Sequence, residues 1–116
     1  MPPACAIGGV DWTLAETTIL EAGRRLAGAS PASRVILFGS YARGDAGPDS
    51  DLDFLVVQPA VADPRAEMVR LRDVLRPLRV PADVLVVSEQ QVNDWAAVPG
   101  TVLHEAMLQG RVLHGR

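Results

Sequence analysis

A chain of 116 residues with a formal net charge of −3 has room for one domain and one core. It is too acidic for general nucleic-acid affinity, which needs a basic surface. Its basic residues are all arginine, which excludes lysine nucleophiles, Schiff bases and a phosphate-binding lysine, and its single cysteine, Cys5, excludes an internal disulfide or a cysteine metal cluster.

Taken in chain order, residues 1–10 carry Pro2, Pro3, Gly8 and Gly9 and read as an irregular lead-in. Thr13 and Glu16 have capping-box spacing. Ala15, Ile19, Ala22 and Leu26 recur on one helical face, which predicts a helix over about residues 13–28. Ser30-Pro31 ends it. Val35-Ile36-Leu37-Phe38 is a first strand, Ser40 to Arg43 a short helix, and Gly44 to Ser50 a turn. A second strand runs from Asp51 through Val57. Asp63 followed by Pro64 starts a helix, with Met68, Leu71, Leu75 and Leu78 as its apolar stripe. Ala82 through Val87 is a third strand, Ser88 and Gln91 cap another short helix, and a last helix runs from about Thr101 to Gly110. Trp12 and Trp95 read as core or interface anchors, and His104 and His114 as surface histidines. The pattern predicts an α/β fold in a single domain, residues 1–116, with a small mixed sheet of three to four strands and flanking helices. No run approaches the ~20 apolar residues of a membrane span, so a soluble, cytoplasmic protein without membrane contact is expected.

Topology turns these elements into a site. The connection between strands 1 and 2 is too short for a parallel crossover, so the two pair antiparallel. The end of strand 1, Gly39-Ser40, then lies beside the start of strand 2, Asp51 and Asp53. Strands 2 and 3 are separated by a full helix, the length of a parallel crossover, which brings Asp83 to the same edge. Residues i and i+2 of a strand share a face, so Asp51 and Asp53 present two carboxylates together. Hard oxygen ligands of this kind suit Mg²⁺, which is held by one or two carboxylates plus substrate phosphates. Gly39 lets backbone approach a ligand closely, and Ser40 can cap a short helix whose N–H groups attract anions. Arg43, one turn further on, reaches toward the phosphates. The bland reading of Asp51 and Asp53 is a solvated strand entry after a turn; the added Gly39-Ser40 and Asp83 outweigh it. A P-loop is excluded, because Asp45-Ala46 stand where Lys and Ser/Thr are required.

Gly39-Ser40, ten intervening residues, then Asp51-Leu52-Asp53 resembles the signature of the DNA-polymerase-β-like nucleotidyltransferases. Arg43-Gly44 and Ser50 are similar to its minimal, stand-alone branch, the MNT domains that act as antitoxins beside HEPN toxins. The resemblance is dense over roughly residues 35–57 and returns at Asp83. It implies a palm-like core and transfer of AMP from ATP to a hydroxyl, assisted by two Mg²⁺ ions. Asp51 and Asp53 would hold both ions, Asp83 would complete the acceptor side, and Gly39, Ser40 and Arg43 would bind nucleotide. The implied partner is a HEPN toxin, silenced by adenylylation of a tyrosine; direct nucleic-acid binding is not expected. Two alternatives stand beside this reading: a non-catalytic toxin-binding antitoxin module, and a small-molecule nucleotidyltransferase subunit.

Overall fold

The computed structural model describes residues 6–47 and 50–115. Helix α1 (Ala6–Ala29) leads into β1 (Arg34–Phe38) and the one-turn helix α2 (Ser40–Arg43). Strand β2 (Leu52–Gln58), helix α3 (Pro64–Leu75) with a 3₁₀ turn at Arg76–Leu78, and β3 (Ala82–Ser88) follow. Helices α4 (Glu89–Trp95) and α5 (Val102–Gln109) and a short β4 (Arg111–His114) complete the chain. The strands form one sheet in the order β3-β2-β1-β4. Strand β1 pairs antiparallel with β2 and β4, while β2 and β3 run parallel, joined by α3 as the crossover.

Both faces of the central strands are covered, which is why β1 and β2 read as continuous apolar runs rather than alternating ones. One face carries Val35 and Leu37, Leu52, Phe54 and Val56, and Val84 and Val86, packed under Ile19, Ala22 and Leu26 of α1 and Leu71 and Leu75 of α3. The opposite face carries Ile36, Leu55, Val57 and Val87, packed under Val92 of α4 and Leu103 and Ala106 of α5. Local caps fix where helices begin. Asp63 accepts from the Ala66 N–H ahead of Pro64, Ser88 and Gln91 form a reciprocal capping box, and Thr101 accepts from the His104 N–H.

Three expectations are corrected. Helix α1 begins at Ala6, so residues 6–10, expected as irregular, are helical, and Thr13 lies inside the helix rather than at its cap. Gly8 and Gly9 cost about 1 kcal/mol each in a helix, which a helix of 24 residues anchored by Ile19, Ala22 and Leu26 carries. Residues 1–5 and the side chain of Trp12 lie outside the described part of the chain. Trp95 is not a core anchor: it sits half exposed at the end of α4. The sequence assigned nothing beyond Gly110, yet β4 pairs there with β1, with a register irregularity at Val35/Ile36. Four residues are too short a run to reveal a period, and only the β1 edge makes them a strand.

Candidate active site at the open end of the sheet

Antiparallel pairing sets Phe38 opposite Asp53, and parallel pairing sets Asp53 opposite Asp83. The end of β1 and the starts of β2 and β3 thus meet at one end of the sheet, as the connection lengths required. Alternation along each strand puts Asp53 and Asp83 on the face that holds Ile36, Leu55, Val57 and Val87, the α4–α5 side. Asp51 comes just before β2, exposed, rather than inside the strand.

Gly39 is the hinge of this arrangement. It caps α2 at φ 79°, ψ −155°, a conformation essentially confined to glycine. A Cβ there would run into the carboxylate of Asp53, whose Cγ would lie at 3.2 Å. The backbone turns out of β1 directly against Asp53 because nothing projects from it. Gly39, not Ser40, occupies the cap position, and no side chain caps the helix; Ser40 is its first residue. The Arg43 and Ala42 N–H groups close onto the Gly39 carbonyl, and Gly44, at φ 85°, ends the turn.

Electrostatics mark Asp53 out. Partial burial pushes its carboxyl above the ordinary value of 3.8, the negative charges of Asp83 and Asp51 push it the same way, and Arg43 opposes them. A divalent cation relieves such a carboxylate group, so the donor chemistry fits Mg²⁺. Among the described residues, no three carboxylate or imidazole side chains are already gathered into a metal cage. Asp83 instead faces Arg72 of α3, with Nη2 at 3.4 Å from Oδ1, both side chains more than half exposed. Arg43 donates from Nη1 to Glu105 Oε1 at 3.0 Å and from Nε to Asp45 Oδ2 at 3.3 Å.

Sequence reasoning missed Arg72, His104 and Glu105. His104, expected on the surface, is half-buried, with Nδ1 donating to the Ala96 carbonyl at 2.8 Å. Glu105 lies 62 residues from its partner Arg43, a separation that no local spacing betrays. Arg72 had one weak signal: it falls off the apolar stripe of α3, on the side next to Leu71.

The sequence model of the nucleotidyltransferase domain family matches residues 18–107. No curated protein matches the chain. A toxin–antitoxin crystal structure with AMP-PNP contains a similar chain, with 26% identity, a TM-score of 0.58, and coverage of 84% of this chain and 73% of that one. A Sulfolobus solfataricus protein assigned to the nucleotidyltransferases is 26% identical, with a TM-score of 0.53 over 67% of this chain and 70% of that one. A mutant of the toxin–antitoxin MntA-HpeT, at 22% identity and a TM-score of 0.56 over 80% and 69%, shares the fold.

Proposed function

This chain belongs to the nucleotidyltransferase domain family, and from that premise we propose that it moves AMP from ATP to a hydroxyl of a HEPN toxin, a tyrosine, and thereby acts as an antitoxin. The observation that carries the reading is the register Phe38–Asp53–Asp83 across β1, β2 and β3, with Gly39 turning against Asp53. That register collects two carboxylates and a backbone turn from three separate parts of the chain. The similar chain solved with AMP-PNP in a toxin–antitoxin structure supports both the nucleotide and the kind of partner.

Each residue has a role in this reading. Asp51, Asp53 and Asp83 would hold Mg²⁺, which when bound would supply charge neutralisation at the transferring phosphoryl group. Asp83 stands at the acceptor side, beside the outer edge of the sheet, where it takes the proton of the incoming hydroxyl. Arg72 neutralises that carboxylate until the acceptor arrives. Gly39 and Ser40 bring backbone N–H groups to the leaving phosphates, and Arg43 adds a fixed positive charge next to them. The acceptor comes from outside. The chain's one tyrosine, Tyr41, lies within α2 and packs against the core, held away from any tail that could swing to Asp83.

Incubation with labelled ATP and Mg²⁺ tests the proposal. We expect the isolated protein to stay unlabelled and a cognate HEPN partner to take up the label on tyrosine. Strong self-labelling, or a partner that is bound but never labelled, contradicts it; the second outcome leaves an antitoxin that works by contact alone.

A further inference from the structure

Helix α3 and the turn after it are basic in an acidic chain. Between positions 65 and 79 stand five arginines against two acidic residues, while the whole chain has a net charge of −3. Most of these arginines share one side of the helix. Arg65, Val69, Arg72 and Arg76 follow at steps of four, three and four residues, the spacing of a single helical face. All four are exposed, whereas Leu71 and Leu75 face the core. Arg70 stands apart, bound to Glu67 and to the Ala29 carbonyl. The stripe is poorly neutralised. Arg65 and Arg79 have no carboxylate partner among the described residues. Arg76 meets Asp73 in a surface pair of the kind that contributes little. Arg79 adds a separate observation: it holds φ 55°, with its N–H on the Arg76 carbonyl. Glycine or asparagine adopts that left-handed conformation more readily, so a long cation is kept where the backbone favours a smaller residue.

This stripe ends at the active site. Arg72 Nη2 lies 3.4 Å from Oδ1 of Asp83, and Val80 and Pro81 alone separate Arg79 from β3, whose second residue is Asp83. We propose that the face from Arg65 to Arg79 docks an acidic segment of the acceptor protein and so brings its tyrosine to Asp83. The proposal rests on the nucleotidyl-transfer reading and adds to it the chemistry by which the acceptor is recognised. Charge complementarity selects this occupant. Carboxylates of the segment would meet Arg65, Arg76 and Arg79 along the helix and draw Arg72 away from Asp83 as the hydroxyl arrives. Val69, 58% exposed in the middle of the stripe, offers an apolar contact between the charges. From residue 65 to residue 76 the helix rises about 16 Å, the reach of about five extended residues. A nucleic-acid strand fits less well. Its phosphates would confront Asp73 and Asp83, in a chain whose net charge already repels them.

Fluorescence anisotropy with labelled poly(Glu,Tyr), and with a single-stranded RNA of similar length, tests the proposal on the intact protein. We expect poly(Glu,Tyr) to bind, and its affinity to fall as salt is added. Arg65→Glu should weaken it about tenfold, while Arg24→Glu, the same charge change on α1, should leave it within about twofold. Arg79→Gly separates recognition from architecture. It should weaken the copolymer yet melt no lower than the native protein, because glycine accepts φ 55°. No binding by the native protein, native affinity in Arg65→Glu and Arg79→Gly, or equal losses in Arg65→Glu and Arg24→Glu overturns the proposal. So does RNA that binds more tightly than poly(Glu,Tyr) and loses affinity in Arg65→Glu, which would make the stripe a nucleic-acid site. Transfer of label from ATP to the HEPN partner is scored separately. Label without stripe-dependent binding removes the docking surface and leaves the transfer reading; stripe-dependent binding without label does the reverse.

Discussion

The two faces of the sheet are built from the same strands and end differently. Under α1 and α3, the face is apolar to its last residues: at the site end, Leu37 is fully buried and Leu52 nearly so. Under α4 and α5, the same strands bury Ile36, Leu55, Val57 and Val87. They then leave Asp53 half-buried and Asp83 exposed. A one-residue step along β2, from Leu52 to Asp53, crosses from the closed face to the open one. The difference teaches that the strands bury a core on both faces but bring carboxylates to the strand ends on one face only. A carboxylate cluster under a helix would carry a buried charge penalty, and here Asp53 and Asp83 lie at the strand ends, outside the core that α4 and α5 cover.

Breaking the closed face has the largest expected effect on folding. Leu71→Ala, at a position with no exposure, removes side-chain volume from the α1–α3 core and should lower stability by about 2–5 kcal/mol in urea unfolding. A cost under about 1 kcal/mol would mean that this face is not the main core. Next comes the seam between the faces. Gly39→Ala forces a non-glycine residue into the conformation at φ 79° and drives a methyl into the Asp53 carboxylate. It should cost about 1–3 kcal/mol and displace Asp53, so transfer activity falls more than stability does. Unchanged activity in a folded variant would show that Gly39 is only a turn.

The smallest effect sharpens the comparison through pH. Asp53 has a folded-state pKa above its ordinary 3.8, so its ionised form is disfavoured by folding. That cost is present above the folded pKa and is relieved as pH falls through it. Asp53→Asn should thus be as stable as the native protein or slightly more so at pH 7, with the difference vanishing near pH 4. Glu67, at the other end of the sheet, behaves oppositely. Hydrogen bonds from Arg70 and then Gln58 lower its pKa from 4.5 to about 2. Its stabilisation is complete above 4.5 and is lost between 4.5 and about 2, so Glu67→Gln should matter at neutral pH and cease to matter in acid. Parallel pH dependence for the two variants would contradict the electrostatic contrast between them.

Much of this was legible because it follows from strand pairing. The length of the β1–β2 link dictated an antiparallel pair and the α3 crossover a parallel one, and those two statements bring Gly39, Asp53 and Asp83 to the same end of the sheet; the register of Asp53 opposite Asp83 is set by the strand pairing itself. Caps at Asp63 and Ser88 were readable from side-chain chemistry next to apolar periodicity; the last helix was placed from about Thr101, but the cap that Thr101 makes to the His104 N–H was not read. Contacts that depend on tertiary approach were not. Glu105 meets Arg43 only because α5 lies over β1, and Arg72 reaches Asp83 only because α3 crosses to β3. Strand β4 owes its existence to the open edge of β1, and the helical start at Ala6 to the anchored helix that follows it.

The most direct test of the account is the rate of AMP transfer to the HEPN partner by Asp53→Asn relative to the native protein, with complex formation measured alongside. Electrostatic stabilisation of the phosphoryl transition state is typically the largest catalytic contribution, and Asp53 sits where the faces divide. The account predicts a fall of about a hundredfold or more, on the order of 3 kcal/mol of barrier, while the complex still forms within a few-fold of native affinity. Transfer within a few-fold of the native rate by the folded variant would contradict it.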